Sequence, residues 1–159
     1  MIHPLLRFAA IVALGGAAGQ LQAGDRWETL QAINTIENPT NSSRPGPHGE
    51  LGPYQFRRTT WRMYSHEPFQ RALQRENADG VAVEHYEWLR GGLARNGIAP
   101  TIYNIALAWN AGLTSVINDR VSLSSRRYAE RVVNIVADLK RIELRNAFAV
   151  APKSAPGRP

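Results

Sequence analysis

The chain has 159 residues, no cysteine, and 19 Lys and Arg against 13 Asp and Glu, a net charge of +6. The missing cysteines exclude a disulfide scaffold, thiol catalysis and Cys-ligated zinc, so an apolar core must carry stability by itself. The positive charge is almost all arginine, with Lys140 and Lys153 the two lysines, and it suits an anionic partner such as a cell-wall polymer or a membrane surface.

The first element reads as a targeting segment. Arg7 is a lone positive charge, Phe8 to Ala18 is a short run of mostly apolar and small residues, and a polar patch ends at Leu21-Gln22-Ala23. This is the layout of a secretory signal peptide with a small-residue cleavage site. The competing reading is a membrane anchor, but the run is short and interrupted by Gly and Gln, a poor bilayer span. Cutting after Ala23 removes Arg7 as the one charged side chain and leaves 136 residues at +5. That is one small domain with a real core, expected from 24 to 146, exported to the periplasm or the extracellular space, without stable membrane insertion.

The next elements read as helices. Asp25 to Glu37 places Trp27, Leu30, Ile33 and Ile36 at helical spacing, and Pro39 ends the run. Asn38 to Gly52 is a loop rich in turn formers, and loops of this length are usually functional or else disordered. Helix resumes from Thr59 through Trp61 and Met63, followed by a short segment at Phe69 to Leu73. A longer helix from about Asp79 sets Ala82, Tyr86, Leu89 and Leu93 on one face, with its stop at Gly91-Gly92 or at Gly97. Pro100 opens the compact helix "TIYNIALAW", which ends at "NAG". Ser124 or Ser125 is the expected cap of a last helix carrying Tyr128, Val132, Ile135, Val136 and Leu139. The tail from 147 to 159 holds three prolines and little to bury, so it is expected to be disordered. The fold class is mainly α.

Several chemistries are absent. No two of His3, His48, His66 and His85 have His-x-x-x-His spacing, and there is no Gly-x-Ser-x-Gly nucleophile elbow. "GGAAG" falls inside the targeting segment. The Arg57-Arg58 and Arg126-Arg127 pairs lack interleaved aromatics, so they read as solvated surface and nucleic acid is not an expected partner. His48 reads as a solvated loop histidine or a substrate contact. No cofactor or metal is expected.

Glu37 is the first candidate for chemistry. It closes an apolar helix where the chain enters an irregular loop. Partial burial there, with the partial negative charge of a helix C-terminus, disfavours the ionised form and raises the pKa, as a general acid requires. The bland alternative is a solvated glutamate at a helix end.

The surrounding motifs carry a resemblance. Glu37-Asn38, then "GELGPYQ" (Gly49 to Gln55), then "AWNAG" (Ala108 to Gly112), then Tyr128 with Val132 follow in order. The chain thereby resembles the lysozyme-like superfamily, in particular the catalytic domain of soluble lytic transglycosylases, over about Arg26 to Leu139. Those domains show Glu-Ser, Gly-Ala-x-Gly-Leu-Met-Gln, Ala-Tyr-Asn-Ala-Gly and Tyr-Val-x-x-Val. The resemblance implies a two-lobed, α-rich fold with a saccharide-binding cleft. It implies Glu37 as the catalytic acid and Gln55 and Asn110 as groove residues that contact the sugar or hold the acid. Tyr128 matches an aromatic of the last helix near the cleft, or serves as a core tyrosine. Asn38 stands in place of Ser, Trp109 in place of Tyr, and Ser124 where some of these enzymes carry a further Glu.

Glu50 stands where lytic transglycosylases usually have Ala. Glu50-Leu51-Gly52-Pro53-Tyr54-Gln55 is similar to chicken-type lysozymes, whose second acidic residue lies two positions before the Gly of a Gly-x-x-Gln. Glycoside hydrolysis commonly uses two carboxyl groups, whereas a lytic transglycosylase works with one that serves as acid and then as base. Otherwise Glu50 orders its turn or pairs with Arg44 or Arg57. The expectation is a monomeric muramidase cutting the β-1,4 bond between N-acetylmuramic acid and N-acetylglucosamine in peptidoglycan. Glu37 and Glu50 would be catalytic, with Tyr54, Gln55, Trp109, Asn110 and Tyr128 at the substrate. The alternatives are a lytic transglycosylase forming 1,6-anhydromuramoyl ends and a non-catalytic wall-binding protein of the same fold.

Overall fold

A computed structural model describes the backbone of residues 16–150 and the side chains of residues 25–149. Among the described residues the regular structure is helical, and extended chain pairs only at one antiparallel bridge between Leu51 and Phe56. The helices in chain order are α1 (Gly16–Glu37), α2 (Arg58–Tyr64), α3 (Arg75–Arg95), α4 (Ile102–Ala111), α5 (Leu113–Ile117) and α6 (Leu123–Val150), with a 3-10 turn at Phe69–Leu73. No helix among the described residues is long and apolar enough to cross a membrane.

Helix α1 starts nine residues before the expected Asp25 and runs through the expected cut after Ala23. Nothing between Gly16 and Asp25 is a proline, and isolated glycines weaken a helix without ending it. Residues 1–15 of the expected leader lie outside the described residues. The helix ends at Glu37, because Asn38 precedes Pro39 and is pushed out of helical geometry.

Helix α3 starts at Arg75, ahead of the expected Asp79, and runs past Gly91-Gly92 to Arg95, ending at the second of the two expected stops, Gly97, where φ is +70°. Gly92 serves packing instead of termination: a Cβ there would lie 2.3 Å from Leu113 Cδ2. Thr101 caps α4 by accepting from Asn104 N–H at 3.2 Å. Helix α5 was not expected. Ser122, and neither Ser124 nor Ser125, caps α6: its Oγ accepts from Ser125 N–H at 3.1 Å. Helix α6 then continues to Val150, past the expected domain end at 146, because "RNAFAV" contains no breaker before Pro152. The remainder of the expected tail, 151–159, lies outside the described residues.

Helix α4 sits at the centre of the core, against α6, α3 and α1. Ala106 and Ala108 on α4, Ala129 on α6 and Ala32 on α1 are all buried, and their small side chains let the backbones approach closely. Asp25 pairs with Lys140 and Glu37 meets Tyr128, so α1 and α6 run antiparallel over this stretch. Trp61 anchors α2 and the 3-10 turn. Its ring is fully buried and its Nε1–H donates to Glu67 O at 2.9 Å, so losing it should cost about 3–5 kcal/mol. Glu37 is therefore fixed where α1 stops, over α6.

Candidate active site

A cleft of about 620 Å³ opens where the end of α1, the loop from 38 to 57, α3 and the C-terminus of α4 meet. Glu37, Glu50, Tyr54, Gln55, Trp109 and Asn110 all line it, so six of the seven sequence-predicted site residues share one cavity. Tyr128, the seventh, lies behind the wall. Its hydroxyl donates to Glu37 Oε1 at 2.8 Å across 91 residues of sequence.

The half-buried Glu37 carboxyl is pushed up from its ordinary value. Burial is the largest cause, the hydrogen bond from Tyr128 opposes it, and the negative charge of Glu50 adds to the rise. Burial also drives the Tyr128 phenol well above its ordinary value, so it stays a neutral donor. Gln55 and Asn110, expected to contact the sugar or to hold the acid, both line the cleft; Gln55 Nε2–H donates to Gly52 O at 3.0 Å, and the hydrogen bond to Glu37 comes from Tyr128.

The facing wall is a loop held by polar contacts. Asn38 is buried, accepts from Ser42 N–H at 2.8 Å, and donates to Ser42 O and Gly52 O. Leu51 and Phe56 exchange two backbone hydrogen bonds of 3.0 Å, closing a tight turn whose fourth residue, Gln55, sits at φ +46°. Gly52 carries φ +79° and packs so closely that a Cβ would lie 1.8 Å from Ala72 O. Only glycine meets both demands.

Glu50 has a different environment from Glu37. Oε2 accepts from His48 N–H at 2.8 Å, and Oε1 faces Arg57 Nε at 3.5 Å. Burial pushes this carboxyl up, but the hydrogen bonds from backbone N–H groups and the nearby cations outweigh it, leaving the group below its usual range. Its pairing partner is Arg57, not Arg44. Gly46 lies beneath it: a Cβ there would fall 2.5 Å from Gln55 Oε1 and 2.7 Å from Glu50 Oε2.

Tyr54 and Trp109 play unequal parts. Tyr54 is 1% exposed and its hydroxyl donates to Asp79 Oδ1 at 2.5 Å, so it is wall rather than a free hydroxyl. Arg75 braces that wall by binding both oxygens of Asp79, Asn34 Oδ1 at 3.0 Å, and the face of the Tyr54 ring. Trp109 is half-buried against Tyr54, Phe56 and His85 and keeps part of its ring at the cleft.

His85 is the lining residue that the histidine spacing missed. It lies edge-on to Trp109 at 4.8 Å, its Nδ1 is 2.9 Å from Tyr64 Oη, and burial lowers its pKa to about 4. The imidazole is thus uncharged at neutral pH. The available signal was the pair His85-x-x-Trp88, two aromatic side chains one helical turn apart, with His85 on the same side of α3 as the buried Val81 and Leu89. No cluster of three or more His, Cys, Asp or Glu among the described residues is placed to hold a metal ion.

Comparison with protein-family models, with curated proteins and with solved structures returns no match.

Proposed function

We propose that this chain is an exported glycosidase of lysozyme-like, two-lobed architecture that cuts the β-1,4 bond between N-acetylmuramic acid and N-acetylglucosamine in peptidoglycan. The observation that carries the reading is the pair of cleft carboxyls with opposite environments. Glu37 is raised and Glu50 is lowered, and two carboxyls pushed apart in this way divide acid and base roles between them.

In this reading Glu37 is the general acid and protonates the leaving glycosidic oxygen. Glu50 remains ionised and stabilises the oxocarbenium-like transition state, attacks the anomeric carbon or activates water. Trp109 offers an indole surface to a sugar ring, and Gln55 and Asn110 offer amides to its hydroxyl and acetamido groups. Tyr128 orients Glu37. Glu37 shares the cleft with Gln55 and Asn110, and the hydrogen bond it accepts is from a phenol, not an arginine, which favours catalysis over a purely wall-binding role.

A second reading rests on a specific observation. Both oxygens of Glu50 are engaged by the loop itself, one by His48 N–H and the other by Arg57. If that engagement persists in the substrate complex, Glu37 acts alone and the product is a 1,6-anhydromuramoyl end. The test is mass spectrometry of muropeptides released from purified murein by the full chain. Reducing ends support hydrolysis, anhydro ends support the lytic transglycosylase, and no cleavage by wild type, or equal cleavage by Glu37→Gln, overturns the glycosidase assignment.

A further inference from the structure

Helix α3 carries an aromatic feature that runs out of the cleft. His85 lines the cavity beside Trp109, and Trp88, one turn further along the helix, stacks on His85 with ring centroids 5.9 Å apart and planes inclined by 13°. Trp88 is not among the residues lining the cleft, and it is 41% exposed, whereas Trp61 is fully buried. Four residues on, Gly92 packs against Leu113, which follows the cleft-lining Ala111 and Gly112. Residues four apart share a helix face, so Trp88 lies on α3 between the cleft-lining His85 and the turn that meets Leu113.

We propose that Trp88, backed by His85, forms an accessory saccharide subsite that continues the cleft and takes an uncharged N-acetylhexosamine ring of the same glycan strand, beyond the rings that contact Glu37. The inference rests on the glycosidase reading and extends it to substrate length. A pyranose ring presents an apolar face of C–H bonds, and a flat, partly exposed indole is the protein surface that matches it. Continuity with the cleft identifies the occupant, because a strand lying over Trp109 and His85 and continuing along α3 meets Trp88 next. The ledge is stiff. Tyr64 fixes the His85 ring, and the ring is uncharged at neutral pH, so little side-chain ordering opposes binding.

The test uses the full chain carrying Glu37→Gln, which binds without cutting, titrated calorimetrically with peptide-free murein tetrasaccharide and octasaccharide. The octasaccharide should bind about tenfold more tightly than the tetrasaccharide, the scale of one good aromatic contact. Adding Trp88→Ala should reduce that ratio to about one, and Trp88→Tyr should restore most of it, while circular dichroism reports the same helix content in all three. Trp109→Ala should weaken both lengths alike. An undiminished length ratio in the Trp88→Ala protein overturns the accessory subsite while leaving the glycosidase reading in place. So does equal weakening of both lengths by Trp88→Ala, which would put Trp88 in the main cleft. If neither oligosaccharide binds even with Trp88 intact, the glycosidase reading falls and the subsite with it.

Discussion

The two walls of the cleft are built by different physics. Glu37 stands on a helical frame held by apolar packing, where α1 and α6 bring a carboxyl and a phenol together out of water. Glu50 stands on a loop held by backbone hydrogen bonds, two glycines in positive φ and one buried asparagine. The frame raises one carboxyl by desolvation, and the loop lowers the other by supplying N–H donors and cations. Two glutamates thirteen residues apart thus acquire opposite protonation tendencies from the elements that carry them. An apolar frame supplies an acid and a polar loop supplies an ionised carboxylate.

The largest effect that would break this contrast is loss of the acid. Glu37→Gln should reduce murein cleavage by roughly a hundredfold or more, the usual scale of general acid catalysis. The same substitution should stabilise the protein at neutral pH. With the folded pKa above the ordinary 4.5, the native state carries a buried charge at high pH, and that cost disappears as pH falls through the folded pKa. The melting temperature of Glu37→Gln should therefore exceed that of wild type at pH 7 and approach it at acid pH. A neutral or lowered melting temperature at pH 7 would show that the frame does not strain this carboxyl.

The loop breaks through its glycines. Gly52→Ala forces a Cβ against the Ala72 carbonyl and places alanine at φ +79°, so urea unfolding should show a loss of about 3 kcal/mol or more. Gly49→Ala, at φ +80° but in open space, should lose about 1 kcal/mol. Similar losses for both would mean that the close approach at Gly52 is dispensable.

Much of the frame was legible in the sequence because a period of 3.6 survives wherever apolar residues repeat, as through Leu30 and Ile33 or Tyr128, Val132 and Val136. The start of α3 was not, because Arg75-Glu76-Asn77 has no apolar residue and Gln74 makes no side-chain cap. Helix α5 is too short to show a period. Within the site, Glu37, Gln55 and Asn110 were legible as local motifs. The Tyr128 hydrogen bond and the attachment of Tyr54 to the Arg75–Asp79 pair were not, since each joins residues of different elements. Around His85 only Trp88, on the same helix, was legible; Tyr64 and Trp109, the other two aromatic residues beside it, come from other helices.

Glu50→Gln comes next in size. It should slow hydrolysis by roughly tenfold if an ionised carboxylate stabilises the transition state, the loss of about 1.4 kcal/mol. An unchanged rate with anhydro products would give the reaction to Glu37 alone. Glu50 also raises Glu37 through its charge, so Glu50→Gln should move the alkaline limb of the pH–rate profile to lower pH.

Tyr128→Phe should have the smallest effect on rate, about fivefold at the optimum, since it removes one hydrogen bond worth about 1 kcal/mol. Its effect on pH dependence is the sharper reading. Glu37 must be protonated to act as an acid, so activity falls as pH rises through its pKa. The Tyr128 hydroxyl donates to the carboxylate and favours the charged form, which holds that pKa below what burial alone would give. Phe keeps the apolar cover and deletes the donor, so the pKa should rise and the alkaline limb should move to higher pH, opposite to Glu50→Gln. If Tyr128 served only to orient Glu37, the rate would fall with the limb unmoved. A shift to lower pH would mean that the phenyl ring admits water the phenol excludes, and that the frame desolvates Glu37 through this one contact.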